Sequence, residues 1–289
     1  MLDSQQDRPP SDVIQALRDR GMTGLTDWTR LQGGRTNRLW AFHSGSRTFV
    51  CKLYSDKAAT PLFPNDADAE ANALNALAGS GLAPRLERKL HLPSGPVLIY
   101  EHVTQTGLHS PAATASALAR LHDQMPHAGL RQLAQRPLAI LHQGEAMLRG
   151  VADQRVEPLK ALRPLPPETT VFAQVFLHGD PVPANVIQTA TGPCFIDWQC
   201  PAIGDPSEDL ALYLSPAMQH LYGGQPLDSA QISAFLAAYD YPERAARYRH
   251  LMPLYHWRMA AYCLWKTRYG DKDYSIGADL EIARLKEIS

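Results

Sequence analysis

The chain changes its hydrophobic periodicity once, and that change limits the folds open to it. Up to about Val103, apolar residues recur in short runs broken by turn residues. After "TQTGLHS" they recur mainly at helical spacing. In the first part, "WTRLQGGRTNRLWAFHSGSRTFVCKLY" reads as strands, with candidates at Arg38–Phe42 and Thr48–Tyr54 joined by a turn at Gly45. "GPVLIYEHV" is a further strand. Two helices interrupt the pattern. "SDVIQALRDRGM" has Ser11 as its expected N-cap, and "NDADAEANALNALAGSG" has Asn65 or Asp66.

The second part opens on "SPAATASALARLHDQM", with Ser110 as N-cap and Pro111 at the first helical position. "LRQLAQRPLAILHQGEAMLRG" continues helical. "TVFAQVFLHGD" and "ANVIQTATGPCFIDWQ" are short β runs, the latter a hairpin. From Pro206 onward the pattern is nearly all helical. The expected class is α+β and bilobal: a small antiparallel sheet lobe over residues 1–103 and a larger helical lobe over 104–289.

Composition closes off several alternatives. With 45% hydrophobic and 20% charged residues over 289 positions, a packed core is expected. A net charge of -1 argues against a nucleic-acid partner. No apolar run is long enough to span a membrane, and the polar "MLDSQQDRPPSD" lacks a leader pattern. Cys51, Cys194, Cys200 and Cys263 form no CxxC pair. Buried free thiols in a cytoplasmic protein are the expectation.

The chemistry concentrates in "FLHGDPVPANVIQ". His178, Asp180 and Asn185 stand at the offsets of the catalytic loop H-R-D-L-x-x-x-N, with Gly179 in place of the arginine. A carboxylate there can orient the proton of an attacking hydroxyl, and an amide oxygen five residues on can ligate a divalent cation. Taken alone, a turn capped by polar side chains explains the stretch as well. Asp197 follows an apolar run twelve residues after Asn185 and can face the same metal, or it can cap a turn. Lys52 lies inside the strand pattern of "TFVCKLY", where a buried, ion-paired lysine can reach phosphates. Glu70 on the following helix is its candidate partner, with Asp66 and Asp68 as competitors. "QGGRTN" offers Gly33, Gly34, Thr36 and Asn37 as a phosphate-covering turn, although it is not G-x-G-x-x-G.

Strand lysine, helix glutamate, His-x-Asp-x4-Asn and strand-end aspartate occur in that order. With "LARLHDQ" and "CFIDWQCPAIGDPSEDLALYL", they make the chain resemble the aminoglycoside phosphotransferase and choline kinase superfamily, from about Leu31 to the C-terminus. The resemblance implies a protein-kinase-like fold, ATP or GTP as donor, Mg²⁺ as cofactor and a small-molecule alcohol as acceptor. It makes Asp180 the catalytic base, with His178 beside it as a support of the loop. Asn185 and Asp197 become metal ligands, Lys52 the phosphate contact and Glu70 its partner. "IYEHV" becomes a hinge where the backbone of Glu101 and Val103 meets the base. In "GDPSEDLA", Asp205 reads as an N-cap, with Glu208 and Asp209 enriching the first turn. Asp209 is also a candidate for holding the loop or meeting substrate.

The acceptor is the open question. Trp257, Tyr262 and Trp265 lie on an aromatic-rich helical segment, either as core or as a cage for a cation. That segment resembles the end of choline and ethanolamine kinases, which implies a cationic amino alcohol. Aminoglycoside, thiamine and sugar acceptors stay open, as does a non-catalytic nucleotide-binding adaptor. Oligomeric state is not legible.

Overall fold

The computed structural model describes residues 8–31, 37–55, 59–125, 129–134, 136–169 and 172–288. Gly33, Gly34 and Thr36 lie outside them. Among the described residues the N-terminal lobe is a five-stranded antiparallel sheet, in the order β1 (Leu25–Leu31), β2 (Arg38–Ser44), β3 (Arg47–Leu53), β5 (Gly95–Glu101), β4 (Leu86–Leu92). Helix α1 (Ser11–Asp19) lies on one face and α2 (Ala67–Ala76) on the other.

Alternation along β3 decides what each face carries. Phe49, Cys51 and Leu53 join Val13 and Leu17 of α1 in one apolar cluster. Val50 and Tyr54 turn to the other face, with Leu98, Ala71 and Leu74. Lys52, between Val50 and Tyr54, takes the same side and is 1% exposed. The strand period thus points a lysine at α2 and at the second lobe.

One of the two caps in this lobe differs from expectation. Pro10, not Ser11, stands at the N-cap of α1, where its carbonyl accepts from Val13 and Ile14. Its fixed φ already leads the chain into the helix. Asp66 does cap α2, accepting from the amides of Asp68 and Ala69, while Asn65 turns away to Asn37.

The second lobe opens with α3 (Pro111–His122), capped by Ser110 as expected. The stretch expected to continue as helix instead breaks into β6 (Arg131–Gln132) and α4 (Pro137–Leu148). Pro137 has no amide hydrogen to continue a helix, and so begins a new one. Then follow α5 (Val156–Ala161), β7 (Val175–Leu177), the hairpin β8 (Val186–Thr189) and β9 (Gly192–Phe195), and β10 (Ala202–Gly204). β10 lies between β6 and β7 in a small second sheet. The chain closes with α6 (Ser207–Leu214), α7 (Pro216–Gly223), α8 (Ser229–Tyr239), α9 (Pro242–Thr267) and α10 (Lys272–Ile288).

Helix α9 is the axis of this lobe. Fifteen of its residues are buried, and α4, α5, α6, α8 and α10 all pack against it. Among the described residues, no helix is long and apolar enough to cross a membrane.

Candidate active site

The catalytic-loop residues follow β7, whose three residues are all buried. Gly179 sits at φ +79, and a Cβ there would stand 2.1 Å from the carbonyl oxygen of Cys200. No arginine fits, which explains the departure from H-R-D. The loop is fixed from beneath by Asp209 of α6. Its two carboxylate oxygens accept from the amides of His178 (2.8 Å) and Gly179 (2.9 Å). His122 of α3 approaches the same carboxylate at 3.1 Å, and its other ring nitrogen lies 2.5 Å from the Tyr239 hydroxyl. Asp209, in the acidic first turn of α6 as expected, is fully buried, so it holds the loop rather than meeting substrate.

His178 is also fully buried, and both of its ring nitrogens are engaged. Nδ1 accepts from the Asp180 amide at 3.2 Å, and Nε2 donates to the Ile196 carbonyl at 3.1 Å. This pattern requires the neutral ring. Burial also lowers its basicity. His178 therefore ties the loop to the residue before Asp197; it positions and does not touch reacting atoms.

Asp180 is held through Asn185, whose Nδ2 donates to the Asp180 carbonyl (2.9 Å) and to Oδ2 (3.3 Å). Asn185 closes the 3₁₀ turn Pro183–Asn185. Burial, reinforced by the charges of Asp197 and Asp209, pushes the Asp180 carboxyl up to about 8. The Asp197 backbone lies in the left-handed region at φ +63, a conformation aspartate tolerates better than most residues. Its carboxylate meets Lys52.

Lys52 Nζ also donates to Glu70 Oε2 at 2.6 Å, and the Tyr54 hydroxyl donates to the same oxygen. Burial alone would lower the Lys52 ammonium, but Asp197 and Glu70 overcome it and hold it protonated. Glu70 is thus the partner among the three carboxylates considered. Asp66 is spent on its cap, and Asp68 pairs with Lys89. Lys52, Glu70 and Asp197 form one cluster, Asp180 and Asn185 a second beside it.

Other expected residues fall elsewhere. Asn37 is committed to a polar knot, donating to Asn65 Oδ1 and Gln199 Oε1 at 2.8 Å each and accepting from the Ser55 amide. The Glu101 amide donates to the Arg85 carbonyl, and its side chain pairs with Arg47 and Arg85. That amide is therefore not free for a base. Val103 lies just beyond β5, half-buried between the lobes. Trp257 is 0% exposed, donates to the Leu159 carbonyl, and packs where Gly144 of α4 leaves room. Tyr262 is buried against Phe63 and stacks on half-buried Trp265. These rings build core; among the described residues they leave no open cage. Asp205 sits one residue before the α6 N-cap, where it accepts from Ser207 and pairs with Arg247.

The sequence reading missed His122, whose motif was visible but whose partner lies 87 residues away. It also missed Arg131, Gln143 and Arg258. With Gly179 and Glu208, these line a cleft of about 490 Å³, open mouth included, on the helical-lobe side of the loop.

The model of the phosphotransferase enzyme family matches residues 27–250, which include every group of both clusters. The chain belongs to that family. No curated protein matches the sequence. Among solved structures, this family member is similar to a choline/ethanolamine kinase family protein from Mesorhizobium loti at 19% identity. The TM-score is 0.66, with 96% of this chain and 94% of that one covered. It is similar to choline kinase from Cryptosporidium parvum at 13% identity and TM-score 0.64, covering 96% and 95%. A thermostable mutant of aminoglycoside phosphotransferase APH(4)-Ia, in ternary complex with AMP-PNP and hygromycin B, matches at 15% identity and TM-score 0.64, covering 95% and 97%. At such identities the likeness shows the fold, a bilobal kinase-like one, and not the acceptor.

Proposed function

We propose that this phosphotransferase moves the γ-phosphoryl group of ATP to a hydroxyl of a small molecule. Residues 1–103 form the nucleotide lobe, and 104–289 the catalytic and acceptor lobe. The observation that carries the reading is Asp180: a half-buried carboxylate aimed by Asn185, in a loop that Asp209 and His178 lock beside the Lys52–Asp197 pair. Asp180 accepts the proton of the acceptor hydroxyl. The acceptor oxygen bonds to phosphorus as the bond to the β-phosphate bridging oxygen breaks, and that electron pair leaves with ADP. A basicity raised above that of an ordinary carboxylate favours taking that proton. Lys52 contacts the phosphates, and Glu70 keeps it aimed.

Asn185 and Asp197 fit a magnesium ion. Asn185 spends its amide nitrogen on Asp180, which leaves its oxygen as a donor, and Asp197 adds a carboxylate. Two oxygen donors suit Mg²⁺, which keeps water and takes phosphate oxygens. Among the described residues no three His, Cys, Asp or Glu gather into an all-protein metal site, and this arrangement needs none. When bound, the ion neutralises phosphate charge. The four buried free cysteines are consistent with action in the cytoplasm.

Among acceptors, the amino-alcohol reading loses the open cage that motivated it, since Trp257 and Tyr262 are buried. A non-catalytic adaptor is disfavoured because base, lysine and metal-ligand types are all present and assembled.

The deciding experiment measures acceptor-dependent ADP release with ATP and Mg²⁺ for the native protein and Asp180→Asn. The expected result is turnover in the first and a loss of about 10³-fold or more in the second, with nucleotide-induced thermal shift retained. Near-native turnover in Asp180→Asn would remove it as the base. A thermal shift with no turnover across alcohols of every charge would make the chain an adaptor.

A further inference from the structure

We infer that the cleft beside the catalytic loop takes an acceptor bearing an anionic group, a carboxylate or phosphate, and that Arg131 selects it. The inference rests on the kinase reading above and concerns only the acceptor. Gly179 lines the cleft and immediately precedes Asp180, so a molecule seated there can present a hydroxyl to the proposed base. Phe63 and Leu212 add apolar wall.

Charge decides the rest. Glu208 is the carboxylate lining the cleft, and it is already satisfied. Arg258 grips both of its oxygens, at 3.1 and 2.6 Å, and extends to Gln143 Oε1 at 2.9 Å. This buried pair has no net charge to offer. A cationic ligand could reach Glu208 only by competing with its guanidinium.

Arg131 is different. Nη2 donates to the Cys200 carbonyl at 3.1 Å, while Nε is buried with no hydrogen-bond partner. Among the described residues, no carboxylate lies within ion-pairing distance of it. Burial lowers its basicity, and the pull of Cys200 and Glu208, opposed by Arg258, does not restore it. A half-buried guanidinium so placed is stabilised by an anion that can take a forked pair of N–H bonds. A quaternary ammonium would meet Arg131, which among the described residues has no carboxylate partner, in the same cleft.

The test is a panel of alcohols varying in charge at matched size, assayed by ADP release with ATP and Mg²⁺. Glycerate, glycerol 3-phosphate, glycerol and choline form one set; gluconate, glucose 6-phosphate, glucose and glucosamine form the other. The expected result is the highest kcat/KM on an anionic member, and the better anion tells carboxylate from phosphate. Arg131→Gln should raise KM for that member by about tenfold or more, with kcat falling far less, and Arg131→Lys should restore part of the loss. Highest kcat/KM on choline, glucosamine or a neutral member would overturn the inference and leave the kinase reading standing. So would an unchanged KM in Arg131→Gln. If that variant does not fold, the ranking on the native protein decides. Turnover of no member, anionic ones included, would overturn the inference as well; an added failure to bind ATP, read by thermal shift, would remove the kinase reading too.

Discussion

Gly179 joins local backbone geometry to catalysis at a single residue. Its positive φ and the 2.1 Å approach of the Cys200 carbonyl leave no room for a side chain. Gly179→Ala is expected to cost about 2–4 kcal/mol in urea unfolding, through strain and backbone displacement together, and to cut kcat as the loop shifts. His178 makes a pH-dependent prediction. Its folded basicity lies below the ordinary value of 6.5. Above that value both states are neutral, and its contribution is complete. As pH falls below it, the unfolded ring takes a proton that the folded ring resists. Stability is then lost until the folded value is passed, with a slope of at most about 1.4 kcal/mol per pH unit from this group. His178→Gln should flatten the acid limb of stability between pH 6.5 and 5; an unchanged limb would mean the ring is protonated in the fold. Residue types were legible here because phosphoryl transfer demands them in order. Partners were less so: Asp209 could be suspected, but its grip on two backbone amides comes from α6, thirty residues away.

At the scale of elements, the close contact of α4 and α9 shows what helical periodicity conceals. Helix α9 was legible as a helix, but its aromatic residues suited a cage and a core equally. The number of helices packed around it settles the matter, and sequence spacing carries no such information. β4 was illegible for the opposite reason. As an edge strand, its "LERKLHL" exposes Lys89 and His91, so no apolar run marks it. Gly144→Ala tests the core reading of Trp257. Its Cβ would stand 2.3 Å from the indole ring, which is fully buried and held by its bond to the Leu159 carbonyl. The expected cost is about 1–3 kcal/mol of stability, with the KM for acceptor unchanged within twofold. If Trp257 instead formed a ligand cage, the KM would rise with the loss of stability.

At the scale of the whole molecule, one segment, residues 195–200, makes several of the contacts between the two lobes. The Phe195 amide donates to the Leu82 carbonyl at 2.8 Å. Asp197 meets Lys52, and Cys200 Sγ lies 3.1 Å from the Pro64 carbonyl. Gln199 makes two crossings. Its carbonyl accepts from the Asp66 amide at 3.3 Å, and its side chain accepts from Asn37 at 2.8 Å. The residue that follows the proposed metal ligand by two therefore sets where α2 begins, and α2 carries Glu70. Gln199→Ala leaves Asn37 with a buried donor lacking one partner, at an expected cost of about 1–3 kcal/mol. Freed at its start, α2 should hold Glu70 less firmly against Lys52. KM for ATP should then rise by about three- to tenfold, while the acceptor cleft, built from the helical lobe with Pro61, Leu62 and Phe63, keeps its KM. Hydrogen exchange supplies the structural readout. The Asp66 and Glu70 amides should exchange faster in the variant, and those of buried α9 should not. Equal acceleration in both lobes would mean that Gln199 supports global stability rather than the register between lobes. Unchanged exchange at Asp66 would mean that the other stitches suffice without it.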